Sequence, residues 1–195
     1  MQVYFLLFTL ILFSCSNDQL NQDVQSTEVL KPVVVNPFPF YKSIEIKPGL
    51  HFEVLSWGKG VDSLGGYLIL MSDSVSNSYK SISAERKGLI KEAWNMDLDN
   101  DGNPEIYIQY VVRKNVNDLQ VYEFVNHNFE KISFPGLSSQ LKDNYAGNDT
   151  FYVKEAALFR SIPLLKTDDT KGNVASKTLK YHLNANQFRA EQIDQ

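Results

Sequence analysis

The residues with the clearest chemical potential lie in one run, Asp97-Leu98-Asp99-Asn100-Asp101-Gly102-Asn103-Pro104-Glu105. It reads D-x-D-x-D-G-x-x-E. In a tight loop, alternate acidic side chains turn into one concavity, and Gly102 permits the sharp reversal. The side chains of Asp97, Asp99, Asp101 and Glu105, with the backbone carbonyl of Asn103, form a candidate ligand set. Calcium takes six to eight hard oxygen ligands in flexible geometry, and this spacing can supply them. An EF-hand would place a bidentate Glu at loop position twelve between two helices. Here that position is Ile108, inside a run of strand character. The loop is therefore expected to join two strands, with calcium as its possible cofactor. A polar hairpin turn that holds no ion fits the same residues.

No other constellation carries chemistry. His51, His127 and His182 are far apart, and none has a second His or Cys within four positions, so a zinc site is not indicated. No G-x-S-x-G occurs, and Gly58-x-Gly60 lacks the third glycine and the helix of a dinucleotide site. The protein is read as non-catalytic. A net charge of −4 without a Lys/Arg cluster argues against nucleic-acid binding. A chain of 195 residues with a single cysteine holds one domain or two small ones and no internal disulfide.

The elements that must position the loop read as short strands broken by turns. Strands are expected at 51–57, 67–71, 79–86, 89–98 and 105–112. Ile106, Ile108, Tyr110 and Val112 alternate with Tyr107, Gln109 and Val111. Both sets are largely apolar, so this strand should be central and covered on both faces. Strands 119–125 and 129–134 should pair across Asn126-His127-Asn128. Leu137, Leu141 and Tyr145 recur at helical spacing, with Ser138 or Ser139 as N-cap. Residues 151–162 and 177–183 read as late strands, and Asn184-Ala185-Asn186 turns into a final short one. The expected fold class is all-β with one short helix, an antiparallel sandwich or barrel.

The first forty residues read differently. Residues 3–13 are almost wholly apolar, too short for a spanning helix but suited to the core of a signal peptide. The run ends in Leu12-Phe13-Ser14-Cys15, which resembles the lipobox of bacterial lipoproteins. That resemblance implies cleavage before Cys15, acylation of its thiol and attachment to the membrane through lipid. Phe13 is bulkier than usual there, and no Lys or Arg precedes the apolar run. The expected organisation is a signal peptide over 1–14, a flexible polar tether over 15–39 and one β-rich domain over 40–195, in a bacterial envelope. An outer-membrane location follows from the same resemblance.

Two further resemblances concern the body. The acidic strand–loop–strand resembles the calcium loops of integrin-type FG-GAP and VCBS repeats, although it occurs once here. Across residues 50–190, the Ser63-Leu64-Gly65-Gly66-Tyr67 segment, the acidic turn, "LFRSIP" and "KTLKYHLNANQF" look like the periplasmic inhibitors of i-type lysozyme. That resemblance implies an all-β, non-enzymatic protein that inserts a Ser- and Tyr-bearing loop into a partner's cleft. The segment 113–118, where that loop is expected, has neither residue, so no inhibitory residue carries over. Ser63 and Tyr67 are the remaining candidates for contact with a protein partner. The expected function is a lipid-anchored binding module for a macromolecule, or alternatively a structural or adhesive calcium-binding envelope lipoprotein.

Overall fold

The computed structural model describes residues 38–58, 65–112, 115–165 and 175–193. Cys15 and Ser63 lie outside the described residues. Among the described residues, twelve strands form three four-stranded antiparallel sheets, each a meander in chain order. Sheet 1 holds β1 (Phe40–Lys47), β2 (Leu50–Trp57), β3 (Gly66–Asp73) and β4 (Ser78–Glu85). Sheet 2 holds β5 (Leu89–Met96), β6 (Glu105–Val112), β7 (Val116–Val125) and β8 (Asn128–Ile132). A one-turn helix, α1 (Ser139–Asp143), leads to sheet 3: β9 (Thr150–Lys154), β10 (Ala157–Pro163), β11 (Ser176–Asn184) and β12 (Gln187–Ile193). The chain is all-β with one short helix, as its turn spacing implies. Among the described residues no helix is long and apolar enough to cross a membrane.

Sheet 2 lies between two cores. Successive side chains on a strand point to opposite faces, and β6 is apolar on both. Ile106, Ile108 and Tyr110 pack with Phe52, Val54 and Ile69 of sheet 1. Tyr107 packs with Leu158, Leu179 and Tyr181 of sheet 3. On β7, Tyr122 joins the first core while Leu119 and Val121 join the second. Each completely buried Ile or Tyr removes apolar area worth about 2–3 kcal/mol from water, so the stack is held from its middle layer outwards.

Sheets 2 and 3 are also joined by a buried polar link. Arg160 of β10 donates through Nε to Asp149 Oδ2 at 2.6 Å, with side chains 3% and 0% exposed. Its Nη2 donates to the Asn117 carbonyl of β7 at 2.7 Å. Asp149 also accepts from the Asn117 N–H at 2.9 Å and from the Tyr145 hydroxyl. Every oxygen of this carboxylate meets a donor, which is the condition for tolerating a buried charge.

Turn chemistry explains most boundaries. Asn126 and His127 both take positive φ and close β7 on β8 with Val125 opposite Asn128, the geometry of a two-residue hairpin. Ser138 caps α1, its hydroxyl accepting from the Leu141 N–H at 3.4 Å. Two elements depart from expectation. Residues 151–162 are two strands, because Glu155 and Ala156 adopt positive φ (51° and 57°) and reverse the chain. Neither residue type announces such a turn. β1 also went unforeseen: its one buried residue is Ile44, so it carries little apolar alternation, and pairing with β2 defines it.

Replacing Arg160 by Met strands the buried Asp149 carboxylate. The expected loss in urea unfolding is about 3–5 kcal/mol. Replacing both residues with apolar ones should recover part of that loss.

Candidate functional site

The acidic run leaves β5 at Met96 and re-enters the sheet at Glu105, the first residue of β6. Beyond a bulge between Ile90 and Glu92, the two strands pair in register from Glu92 opposite Gln109 to Met96 opposite Glu105, so residues 97–104 are a loop clamped at its base. Its backbone is organised by its own carboxylates. Asp97 Oδ1 accepts from the Asp101 N–H at 3.0 Å, and Oδ2 accepts from the Gly102 N–H at 3.1 Å. Asp101 accepts from the Asn103 backbone N–H and from Asn103 Nδ2, both at 2.8 Å. Asn103 therefore acts on Asp101 through its side chain, an interaction its expected carbonyl role did not include. Asn100 and Gly102 take positive φ, 58° and 87°. Asn tolerates this region and Gly adopts it freely.

Glu105 is the unusual member. It is 0% exposed. Its Oε2 accepts from the Leu98 N–H at 2.8 Å and from the Tyr107 hydroxyl at 3.4 Å. Its Oε1 is buried and meets no donor, and the same is true of Asp99 Oδ1. An unpartnered buried carboxylate oxygen costs more than a surface one gains, since desolvation is not repaid. Burial, followed by the charges of Asp99 and Asp97, pushes the Glu105 carboxyl up to about 8. Burial and the neighbouring Asp101 and Asp97 charges also raise Asp99.

Carboxylate oxygens of Asp97, Asp99 and Glu105 all lie within 4.8 Å of one another. Asp99, Asp101 and Glu123 form a second set to the same criterion. The loop thus brings together all four acidic residues expected from the sequence, and a fifth that was missed. Glu123 stands on β7 directly opposite Glu105 and is 4% exposed. Its carboxyl is raised, first by burial and then by the Asp101 charge. The signal was an acidic residue between Tyr122 and Phe124 in an otherwise apolar stretch; the register that sets it beside Glu105 is a tertiary fact. Asn186, in the β11–β12 turn, donates to Glu123 Oε2 at 3.5 Å.

Tyr67 is placed differently from its expected role. It is 1% exposed, and its hydroxyl bonds to Gln120 and, at 2.6 Å, to the Tyr122 hydroxyl. It is a core residue joining sheets 1 and 2. A separate cleft of about 370 Å³ lies where β1, β5 and β9 approach. Lys42 and Glu92 pair there at 3.2 Å, and Glu92 is the one carboxylate among the described residues that line it. His51 and His182 are partly exposed and face Glu45 and Glu191.

No family model, no curated protein and no solved structure matches this chain.

The raised carboxyls have a signed consequence. The folded-state value of Glu105, about 8, exceeds its ordinary 4.5, so the folded protein binds the extra proton. That stabilisation is complete below about 4.5 and is lost as pH rises through about 8. Asp99 and Glu123 act in the same direction. With chelator present, the urea midpoint should fall from pH 5 to pH 9, roughly, and Glu105→Gln should flatten that slope. An unchanged slope in the variant would assign the dependence elsewhere.

Proposed function

We propose that this protein is a non-catalytic envelope module whose acidic loop binds calcium, the ion fastening the β5–β6 loop to the start of β6. The observation that carries this reading is Glu105 Oε1: a buried carboxylate oxygen without a donor, within 4.8 Å of the Asp97 and Asp99 oxygens. A cation supplies the missing partner. The set consists of oxygen alone, without imidazole or thiolate, which favours a hard ion such as calcium over zinc or copper. The loop's backbone is already held by Asp97 and Asp101, so the ion meets a shaped site and little ordering entropy opposes binding. Without an ion, Glu105 is held neutral by its surroundings; with one, it ionises and becomes a ligand. Binding therefore releases a proton near neutral pH.

The reading includes attachment to the membrane through acyl chains on Cys15, supported by the apolar run that ends there. It does not include cleft insertion of the lysozyme-inhibitor kind, because Tyr67 is committed to the core. What such a module would do for the envelope is mechanical: a cation-braced β domain carried on a lipid tether, in an extracytoplasmic space where calcium is abundant.

Calcium affinity of the extracellular-module kind implies a dissociation constant of roughly 0.1–1 mM. At about 1 mM calcium that gives a stabilisation of about 0.4–1.4 kcal/mol, or a midpoint shift of about 1–5 °C. Scanning calorimetry with calcium and with chelator reads this directly. Glu105→Gln and Asp99→Ala should each remove the shift, and its absence in the wild type would leave the loop a plain polar turn. Metabolic labelling with a fatty acid checks the anchor: Cys15→Ala should abolish incorporation and leave the folded domain's melting unchanged.

A further inference from the structure

We infer that the groove between the edge strands β5 and β9 binds an N-acetylated glycan chain, with the Trp94 indole as donor to an acetamido carbonyl. The groove is separate from the acidic loop, and the inference does not rest on the calcium reading.

Two clefts adjoin along these strands. The one described above, of about 370 Å³, lies where β1, β5 and β9 approach. A second, of about 510 Å³, opens beside Lys91, Val111 and Thr150. Their walls are continuous. Lys91 and Glu92 are neighbours on β5, and Thr150 and Phe151 are neighbours on β9. Gln109 of the first cleft donates through Nε2 to Asn117 Oδ1 of the second at 3.1 Å. Each cleft lies within the roughly 300–1,000 Å³ typical of ligand sites, and the pair extends along the strands, which suits a chain better than a compact molecule.

Three observations select the class of ligand. The first is a missing acceptor. Trp94 lines the first cleft and stacks on Tyr107 at 5.5 Å. Its Nε1–H is buried and meets no acceptor. A buried indole N–H ordinarily finds one, and leaving it unmet is costly. A ligand carbonyl supplies the partner that the chain does not, and the acetamido group carries the strongest neutral acceptor on a sugar. The second is the polar lining. Asn95 borders the first cleft, and Asn115 and Asn148 border the second. All three are exposed, and among the described residues their side-chain amides make no hydrogen bond. A carboxamide offers both donors and an acceptor, which matches hydroxyl and acetamido groups that also do both. The third is charge. Lys42 pairs with Glu92 and Asp149 pairs with Arg160, so Lys91 is the remaining charged side chain along the groove among the described residues. One cation is too few for a polyanion.

An extended peptide is the competing occupant, because β1, β5 and β9 are each the edge of a sheet. Two features oppose strand addition: Lys42 stands on β1, and β5 is bulged at Lys91. Edge lysines and bulges discourage pairing with a further strand. A glycan needs no ladder of backbone pairs and is indifferent to both.

The full-length protein, in a detergent without a sugar headgroup, is titrated with chitohexaose, a short N-acetylglucosamine chain, and with cellohexaose, which lacks the acetamido groups. Trp57 and Trp94 are the two tryptophans of the chain, so in Trp57→Phe the indole emission reports Trp94 alone. Calorimetry on the wild type gives the affinity independently. The expected result is a saturable change in Trp94 emission with chitohexaose, unaffected by chelator, and roughly tenfold weaker binding of cellohexaose. Trp94→Phe keeps a ring and removes the N–H, and should weaken chitohexaose about two- to tenfold, the worth of one hydrogen bond. Asn148→Gly should weaken it by a similar factor; Asn148 has φ of 56°, which glycine tolerates. Circular dichroism confirms the fold of each variant, and the wild-type titration needs none. No response to chitohexaose overturns the inference. Equal binding of the two sugars overturns the acetamido assignment. Undiminished binding in both variants overturns the placement in this groove. Binding of an alternating Thr-Val decapeptide in place of either sugar overturns the glycan class in favour of strand addition.

Discussion

Everything in this structure depends on β6 being buried on both faces while beginning with a carboxylate. Ile106, Ile108 and Tyr110 need sheet 1, and Tyr107 needs sheet 3. That double demand fixes the order of the three layers. It also fixes Glu105, because the first residue of a central strand cannot turn to solvent without breaking its pairing with Met96 and Glu123. The side chain must lie on the sheet 3 face beside Tyr107, whose ring stacks on Trp94 at 5.5 Å. A charged end is thus driven into the protein by the apolar residues that follow it.

The buried carboxylates Asp149 and Glu105 are accommodated in opposite ways. At Asp149 the charge is matched internally by Arg160, Asn117 and Tyr145. Those partners come from β7, β10 and the segment after α1, so the link also welds sheet 2 to sheet 3. At Glu105 the charged neighbours among the described residues are Asp97 and Asp99. The first arrangement is complete as folded. The second is complete only with a proton or with an ion, and the two alternatives compete for the same carboxyl. A surface acidic turn would have no such requirement, because water would serve both oxygens.

The sequence disclosed what local chemistry decides. The two-faced apolar pattern of 105–112 gave the boundaries and the burial of β6 from residue types alone, since period two leaves no other disposition. The acidic loop, its glycine and its two flanking strands were equally readable. Glu123 was not, because its role depends on the register of β7 against β6, and no local preference sets that register. The Glu155-Ala156 reversal was missed for a related reason. Positive φ at Glu and Ala is imposed by Lys154 pairing with Ala157, and the residues themselves do not favour it. Tyr67 shows the converse error. A Gly-Gly-Tyr segment looks like an exposed loop until the neighbouring strands are in place, and then the hydroxyl proves to be tied to Gln120 and Tyr122 across two sheets.

The acidic pocket also explains why the loop needs so much internal hydrogen bonding. If the carboxylates were free to rotate, mutual repulsion would turn them outward, and the buried Glu105 would face an empty space that solvent could enter. Asp97 and Asp101 are prevented from doing so because each is held by loop N–H groups. Those donors fix the two carboxylates beside Asp99 and Glu105. The loop backbone therefore does two things at once: it closes the β5–β6 connection and it holds its own repulsive charges together. The same arrangement sets carboxylate oxygens within 4.8 Å of one another, close enough to hold a metal ion together.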